Sequence, residues 1–528
     1  MAALHGMNFI AGSLCESART YGATSPLDGA DLPGRFCMAS LDDVDAAMQA
    51  AATAAGPFGR TGGEERARFL EAIAEEILAL GDALIERAGL ETALPAARLT
   101  GERGRTVGQL RMFAAAARDG SWVDARIDRA QPDRQPLPRS DLRRMKLPIG
   151  PVVVFGSSNF PLAFSVAGGD TASALCTGNP VVVKAHRAHP GTSELVAGAI
   201  DRAITACGLP AGTFSMLHGA GSVIGTALVK HPAARAVGFT GSRAAGRALC
   251  DAAAARPDPI PVFAEMSSLN PVFVLPGAIA ARAGEIAKAF VASMTLGVGQ
   301  FCTKPGLLFA VEGAGLADFR AALAEAIRPA APSSMLSADI LAAFDHGRNA
   351  LLNVAGTVVV GQSATVADPN KTQAGGLIAA TDATAFLAHE QLAEEVFGPC
   401  SLVVAAKTLD ELRAIARRLD GQLTATIHGT PEDLAAAGDL LEILGHKAGR
   451  LIVNGFPTGV EVCHAMQHGG PWPATSDARF TSVGSAALER FIRPVCYQDV
   501  PDSLLPAALA DTNPLGIERL VEGVRGRH

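Results

Sequence analysis

Short apolar runs alternate with helical segments between residues 148 and 240. Largely apolar runs of five residues occur at four places: Pro151–Phe155, Pro180–Lys184, Thr213–Leu217 and Ala236–Thr240. Continuous apolar runs of this length are typical of strands that are buried on both faces of a parallel sheet. Segments with helical spacing, such as Thr192–Cys207, lie between the runs. The pattern predicts a doubly wound α/β sheet.

A second α/β pattern extends from Pro271 to about residue 465. Its apolar runs are Pro271–Leu275, Thr357–Gly361, Ser401–Ala405 and Gly449–Asn454. Residues 41–120, which precede both patterns, have the spacing of helices. Within residues 121–147, two short extended-looking segments, the first with alternating apolar and polar side chains, are joined by a proline-containing loop. This arrangement predicts a hairpin. The tail from Asp499 is weakly patterned, and we expect it to wrap the surface.

Composition narrows the functional classes. A chain of 528 residues is too long for a single core, so we expect two or three domains. The net charge of -7 predicts no basic face for nucleic acid, and the twelve scattered histidines predict no metal site. Nine cysteines without a CxxC pair indicate reduced thiols in a cytoplasmic protein. Neither a signal peptide nor a membrane-spanning apolar run is expected.

Cys302 is the first candidate for catalysis. It follows Gly297, Gly299 and Gln300, and small residues let a backbone approach a ligand closely. Most free cysteines are small buried hydrophobes, and that is the alternative for this one. A thiol with a pKa of about 8.5 is largely protonated at pH 7, so a nucleophilic cysteine needs a base.

Two polar residues upstream supply the other groups that covalent carbonyl chemistry needs. Glu265 follows the apolar run Pro261–Ala264 and is a candidate general base. Asn159 follows the run that ends at Phe155, and its amide is a candidate oxyanion donor. The ordinary alternative for Glu265 is a solvated cap, and the ordinary alternative for Asn159 is a turn residue or helix cap. Thiol, carboxylate and amide together favour nucleophilic catalysis at a carbonyl carbon.

These segments resemble the aldehyde dehydrogenase family. The similar stretches are Ser157–Leu162, Phe263–Pro271, Phe239–Gly246, Gly299–Gly306 and Glu394–Pro399, within a resemblance that covers about residues 7–500. The resemblance implies oxidation of an aldehyde to a carboxylic acid with a nicotinamide cofactor. It assigns Cys302 as the nucleophile, Glu265 as the base that activates water, and Asn159 with the Cys302 amide as the oxyanion donors.

Finer similarity links the chain to the α-ketoglutaric semialdehyde (2,5-dioxopentanoate) dehydrogenase subgroup. It lies in Glu265–Leu269, Leu99–Arg105, Lys184–His186 and Gln467–Pro473. The implied reaction converts α-ketoglutaric semialdehyde to 2-oxoglutarate, and Phe160 and Phe164 are expected to line an entry tunnel. Arg111 and Arg118 could bind the distal carboxylate, although arginine is mostly a surface charge.

The resemblance also assigns residues to the cofactor. These residues are Gly241, Ser242 and Gly246 at the pyrophosphate, Lys184 at the adenosine ribose, and Glu395 and Phe397 at the nicotinamide end. Arg187 occupies the position at which NAD-preferring members carry a glutamate. Its pairing with a 2′-phosphate, worth about 1.5–3 kcal/mol, would favour NADP. If Arg187 instead points to solvent, NAD remains an alternative cofactor.

The family fold implies a Rossmann-type cofactor domain, an α/β catalytic domain and a small β oligomerisation element. We expect the cofactor domain in residues 1–120 and 148–263, and the catalytic domain in 264–465. The oligomerisation element would comprise 121–147 and 485–500, followed by a tail, 501–528, and would support a homodimer or homotetramer. No nucleic-acid or membrane partner is expected.

Two other functions remain open at this point. A wholly apolar tunnel would favour an NADP-dependent medium- or long-chain (fatty) aldehyde dehydrogenase. A non-catalytic, aldehyde dehydrogenase-like binding protein is the alternative from a different class. Retention of Glu265 favours water over coenzyme A as the acceptor.

Overall fold

A computed structural model describes residues 4–528. These residues form fifteen α-helices and twenty-three β-strands. The helices are α1 Leu41–Gly59, α2 Gly63–Ala79, α3 Gly81–Thr92, α4 Ala96–Asp119, α5 Gly169–Cys176, α6 Pro190–Cys207, α7 Thr226–Lys230, α8 Arg243–Ala254, α9 Pro276–Thr295, α10 Ala314–Ile327, α11 Ala338–Leu352, α12 Ala383–Ala388, α13 Leu409–Arg418, α14 Pro431–Ala436 and α15 Gly438–Gly445. The strands are β1 Asn8–Ile10, β2 Ser13–Cys15, β3 Thr20–Thr24, β4 Asp31–Cys37, β5 Arg126–Asp128, β6 Leu142–Pro148, β7 Val152–Phe155, β8 Val181–Lys184, β9 Phe214–Leu217, β10 Ala236–Thr240, β11 Val262–Glu265, β12 Val272–Val274, β13 Leu307–Val311, β14 Ser333–Ser334, β15 Val358–Gln362, β16 Gln373–Ala374, β17 Leu377–Asp382, β18 Cys400–Ala406, β19 Gln422–His428, β20 Ala448–Val453, β21 Ile492–Gln498, β22 Arg519–Val521 and β23 Val524–Gly526.

The first sheet has seven strands in the order β11-β10-β7-β8-β9-β1-β2. Its strands β7 to β11 are parallel, and β1 and β2 pair antiparallel at one end. Successive side chains of β7 point to opposite faces, as a strand requires. Val152 and Val154 pack with helices α2, α4, α5 and α6, whereas Val153 and Phe155 pack with α1, α7 and α8. Helices on both faces explain why these strands are continuously apolar.

The second sheet also has seven strands, in the order β15-β17-β18-β13-β12-β19-β20. Only β15 is antiparallel to its neighbour. Phe273 of β12 packs into a core with α11, α12, α13 and α15, and Val272 and Val274 pack into a core with α9 and α10. The two sheets are therefore two doubly wound α/β units, as the apolar runs predict.

A smaller five-stranded sheet has the order β21-β6-β5-β22-β23. The predicted hairpin supplies β5 and β6, and β21 pairs antiparallel with β6. The C-terminal tail, for which sequence indicated only a surface path, contributes β22 and β23, with β22 parallel to β5. Ile127, Met145, Leu509 and Val521 share one small core. Strands of three residues carry too little periodicity to be detected from sequence, and their pairing is non-local.

Within the described residues, no helix combines the length and the apolar character needed to cross a membrane.

Candidate active site

Four adjacent parallel strands of the first sheet lead into candidate site residues. Strand β11 ends at Glu265 and β8 ends at Lys184, while Gly241 directly follows β10. Asn159 lies four residues beyond the end of β7. Because the strands are parallel, their carboxyl ends lie along one edge, and ligands bind at such an edge in open α/β sheets.

The cysteine loop reaches this edge from the second sheet, where it precedes β13. Asn270, just before β12, donates from Nδ2 to the carbonyl oxygens of Cys302 at 2.8 Å and Lys304 at 3.0 Å. Its Oδ1 accepts hydrogen bonds from Ser268 and Thr424. Asn270 is fully buried and has a positive φ of 46°. No local pattern in the sequence indicates a role for Asn270, yet its buried amide holds the loop that carries the thiol.

Glycine is needed where the cysteine loop meets the segment Glu394–Pro399. Gly299 has a φ of +66°, and a Cβ at this position would lie 2.3 Å from the carbonyl carbon of Gly398. A Cβ on Gly398 would in turn lie 2.3 Å from the Phe344 ring. Backbone therefore packs directly on backbone, which brings two motifs nearly 100 residues apart into contact.

Three reactive side chains meet at the floor of the site. His468 Nε2 lies 3.5 Å from Cys302 Sγ and 2.8 Å from Glu265 Oε1. Ser482 donates a hydrogen bond of 2.7 Å to the other carboxylate oxygen, Oε2. Glu265, His468 and Ser482 are buried. The sequence around His468 predicts no catalytic role for it, because nothing local indicates contact with Cys302, 166 residues away.

The surroundings of Cys302 and Glu265 shift the pKa values of both side chains. Burial, followed by the negative charge of Glu265, raises the pKa of the Cys302 thiol well above its ordinary value. Burial also opposes ionisation of Glu265, but the charge of His468 and hydrogen bonds from His468, Ser482 and Cys302 outweigh it. The pKa of Glu265 is therefore lowered. The thiol rests protonated beside a carboxylate that can accept its proton.

Asn159 and the backbone of Cys302 supply hydrogen-bond donors at the cysteine loop. Asn159 Nδ2 donates to the carbonyl oxygen of Gln300 at 3.0 Å, which fixes the amide against the cysteine loop. An amide NH₂ has two protons, so one remains for a ligand. Among the described residues, the N–H of Cys302 donates to no backbone acceptor.

The thiol opens into a small cavity of about 260 Å³, including its mouth. Phe160 lies edge-on to Phe164 and to Phe301, with ring centroids 5.3 Å and 5.4 Å away. The complete lining is Arg105, Phe160, Phe164, Phe301, Cys302, Thr303, Gly459, Val460 and His468. The predicted residues Phe160 and Phe164 thus line the cavity together with one cation that the sequence analysis did not single out, Arg105.

The two arginines that the sequence analysis weighed for a substrate carboxylate lie on the surface. Arg111 pairs with Glu75 at 2.7 Å, and both side chains are exposed. Arg118 pairs with Glu64 at 2.7 Å and Glu71 at 2.6 Å. Both arginines have the ordinary role of a solvated charge.

The predicted cofactor residues along the first sheet fit a phosphate-bearing dinucleotide. Ser242 caps α8 and accepts a hydrogen bond from the N–H of Ala245 at 3.3 Å. A Cβ on Gly241 would lie 2.6 Å from the Phe239 ring, so the turn excludes a side chain. Lys184 is buried, and burial together with the charge of Arg187 lowers its pKa to about 8. A helix N-terminus and a buried cation are suited to an anionic ligand.

The remaining cofactor candidates differ in burial. Burial raises the pKa of Glu395 to about 7, although the charge of Lys304 and hydrogen bonds from Ser267 and Ser268 oppose the rise. Phe397, two residues on, is half-buried, and Gly246 packs against Met266. Arg187 is 75% exposed, and its Nη1 lies 3.9 Å from Asp339 Oδ2. Arg187 is therefore an exposed side chain whose position is fixed by one long ion pair.

Comparison with known proteins connects this geometry to a family. The sequence profile of the aldehyde dehydrogenase family matches residues 15–492. The chain is 55% identical over 521 residues to alpha-ketoglutaric semialdehyde dehydrogenase 2 of Azospirillum brasilense, covering 98% of each chain. It is 48% identical over 527 residues to alpha-ketoglutaric semialdehyde dehydrogenase of Acinetobacter baylyi, covering 99% of each. The solved structure of 3,6-anhydro-L-galactose dehydrogenase in complex with NAP matches with a TM-score of 0.78 at 23% identity, over 93% of this chain and 99% of that chain.

The chain belongs to the aldehyde dehydrogenase family. It is an oxidoreductase that acts on aldehydes, and its cofactor is a nicotinamide dinucleotide, NAD(P). The family and the fold class predicted from the sequence are both confirmed.

Proposed function

We propose that the chain oxidises α-ketoglutaric semialdehyde to 2-oxoglutarate through a thioester on Cys302. The observation that carries the proposal is the contact of Cys302, His468 and Glu265 at the floor of the cavity. The two full-length relatives carry the name of this activity, at 55% and 48% identity, which supports the choice of aldehyde.

Cys302 acts first, as the nucleophile. Its Sγ–H bond is broken as Glu265 accepts the proton, with His468 Nε2 in contact with both groups. The sulfur then bonds to the aldehyde carbon, and the carbonyl oxygen becomes an oxyanion. The lowered pKa of Glu265 keeps this base ionised at neutral pH.

The oxyanion is held by donors that are already in place. Asn159 has one amide proton beyond the hydrogen bond to Gln300, and the Cys302 N–H is the second donor. Preorganised donors of this kind stabilise charge as it develops and lose no reorganisation energy. A bound nicotinamide cofactor would supply the hydride acceptor that oxidation of the hemithioacetal on Cys302 to a thioester requires.

Glu265 acts again in hydrolysis, after its first proton has passed to solvent. It removes a proton from water, the water oxygen bonds to the thioester carbon, and the carbon–sulfur bond breaks to release the acid and Cys302. Ser482 and His468 hold the carboxylate through opposite oxygens, so its orientation is fixed.

For the cofactor, we propose that NADP is preferred over NAD. Ser242 at the N-terminus of α8 and the buried Lys184 would bind the phosphate and ribose groups, beside the turn that contains Gly241 and Gly246. Arg187 would contact a 2′-phosphate. Its exposure argues for a modest preference, because exposed ion pairs are worth only about 0.2–1 kcal/mol. Glu395 and Phe397 would contact the nicotinamide end.

We also propose roles for the larger units. Residues 1–120 and 148–263 would bind the cofactor, and residues 264–465 would carry the nucleophile. The small sheet ends at the edge strand β21, whose outer backbone groups are suited to pairing with a second copy in a homodimer or homotetramer.

A fatty aldehyde is the second candidate substrate. It is suggested by the three phenylalanines of the cavity, and it is disfavoured by Arg105, because a cation in the wall is unsuited to an alkyl chain.

The first test is the formation of reduced cofactor from α-ketoglutaric semialdehyde with NADP⁺ and with NAD⁺. We expect turnover to 2-oxoglutarate, loss of that turnover in Cys302→Ala, and unchanged turnover in Cys496→Ala, which removes an exposed thiol. Turnover of long-chain aldehydes alone would replace the substrate with the fatty class. No turnover of any aldehyde would leave only a binding function.

A further inference from the structure

Arg105 forms no hydrogen bond or ion pair with residues 4–528. It lies on α4, whose five arginines are Arg98, Arg103, Arg105, Arg111 and Arg118. The other four donate hydrogen bonds to protein acceptors. Arg98 donates to Glu102 and the Asn159 carbonyl, and Arg103 donates to the Gly81 carbonyl. Arg111 donates to Glu75, and Arg118 donates to Glu64 and Glu71. Arg105 instead lines the cavity that contains Cys302.

Two nitrogen atoms of Arg105 are buried without a partner. Its Nε and Nη2 have no hydrogen-bond acceptor within residues 4–528. A guanidinium cannot lose its proton at ordinary pH, so the charge stays on the cavity wall. Buried charges in proteins are normally paired, and an anionic ligand would supply the missing partner.

The carboxylates near Arg105 are held by other donors. Glu102, one helical turn away, accepts from the N–H groups of Leu162 at 2.9 Å and Ala163 at 3.0 Å, and from Arg98 at 3.4 Å. Glu265 accepts from His468 and Ser482. Glu461 attracts Arg105 only through space and is itself exposed. None of them neutralises the guanidinium by direct contact.

Aromatic rings hold the guanidinium at the cavity. Its central carbon lies 5.3 Å from the centroid of the Phe164 ring and 5.8 Å from that of Phe160, within the range of cation–π attraction. The rings restrict the side chain without using its N–H groups. A planar guanidinium held in this way can bind a carboxylate through two parallel hydrogen bonds.

We infer that Arg105 forms a carboxylate-binding subsite, which takes the carboxylate of a short aldehyde acid while Cys302 attacks its aldehyde carbon. The inference rests on the proposed function and deepens it, since it assigns the residue that distinguishes an acidic semialdehyde from an uncharged aldehyde. Arg105 binds the end of the substrate that does not react, so it sets specificity and takes no part in proton transfer.

The test compares two aldehydes of five carbons, α-ketoglutaric semialdehyde and pentanal. Arg105→Met removes the charge and keeps a side chain of similar length, and Arg105→Lys keeps the charge without the planar fork. Arg111→Met, on the same helix, is the matched control because its arginine serves an exposed ion pair. We expect Arg105→Met to lower kcat/KM for the semialdehyde by about tenfold to a hundredfold, mainly through KM.

Pentanal separates binding from folding. Its kcat/KM should stay within about twofold of the wild type in Arg105→Met, because the uncharged chain makes no use of the guanidinium. Arg105→Lys should be intermediate with the semialdehyde. An equal loss for both aldehydes would show that Arg105 only maintains the cavity, and it would overturn the inference.

A binding measurement separates this inference from the proposed reaction. Glutarate, a five-carbon dicarboxylate, should protect Cys302 from alkylation by iodoacetamide in the wild type and much less in Arg105→Met. If the wild type fails to oxidise the semialdehyde while this difference persists, the proposed substrate is wrong and the subsite stands. Equal protection in both proteins would overturn the subsite.

Discussion

At the floor of the site, the Glu265 carboxylate is held by buried protein groups, whereas at the proposed cofactor rim, just beyond strand β8, the Arg187 side chain is 75% exposed. Glu265 is fixed by hydrogen bonds of 2.8 Å and 2.7 Å from two buried partners. Arg187 has a single carboxylate nearby, 3.9 Å away and itself exposed. Both regions lie at the carboxyl edge of the same sheet, so the difference arises from what packs over them.

The two regions should respond to substitution with very different strength. Charges and dipoles interact more strongly when water is excluded, and they are screened by salt when exposed. Residues at the floor should therefore control the chemical steps by orders of magnitude. Residues at the rim should shift cofactor preference by small factors that depend on ionic strength.

The largest effect is expected for Glu265→Gln, which removes the base and keeps the side-chain volume. Steady-state turnover should fall by about 10²–10⁴-fold. If hydrolysis is the step most dependent on this base, rapid mixing should show one equivalent of reduced cofactor before the slow phase. Glu442→Gln, on the exposed face of α15, is the control. Turnover near that of the wild type would exclude Glu265 as the base.

Asn159→Ala should have the next largest effect. Loss of one oxyanion donor typically costs about 2.7–4 kcal/mol, which corresponds to about 10²–10³-fold in kcat. The KM for the aldehyde should change little, since the interaction forms with the oxyanion. The Asn159 amide also supports the cysteine loop through Gln300, so thermal unfolding should be measured beside the kinetics. A loss confined to KM would contradict the assigned role.

The smallest effect is expected at the rim. Arg187→Ala should lower the preference for NADP over NAD, measured as the ratio of kcat/KM values, by about 1 kcal/mol or fivefold. The change should shrink at high salt. Asp339→Asn, which removes the competing carboxylate, should raise the same ratio. An effect of Arg187→Ala as large as that of Asn159→Ala would contradict the expectation that exposed residues at the rim have smaller effects than buried residues at the floor.

The parts of the fold that sequence predicted well are those whose signal is local. Strands β7 to β10 begin and end within about one residue of the apolar runs, because strands buried on both faces need continuous apolar sequence. Strand β19, Gln422–His428, was not predicted, since it mixes threonine, glutamine and histidine with apolar residues. Its Gln422 accepts hydrogen bonds from the segment around Ser268 and Asn270, a use that no periodicity indicates.

The candidate site divides in the same way. Cys302, Glu265 and Asn159 stand in short segments that resemble a family. In the structure Glu265 contacts Cys302, and the Asn159 amide reaches the cysteine loop through the Gln300 carbonyl. His468 and Arg105 also lie in segments that resemble the semialdehyde dehydrogenase subgroup. Neither residue has a local feature that indicates contact with a catalytic side chain. His468 is 166 residues from Cys302, and Arg105 is one of five arginines on its helix.

The sequence by itself determined the α/β class and the family and predicted Cys302 as the nucleophile, because each depends on patterns within a few residues. Only the tertiary structure decided which polar groups share a cavity, since that depends on parallel strands meeting at one edge and on the loop held by Asn270. It also decided that two nitrogen atoms of Arg105 are buried without a hydrogen-bond partner in residues 4–528, while Arg111 and Arg118 are paired at the surface. The strength of a charge is set by its surroundings, and those surroundings are assembled from distant parts of the chain.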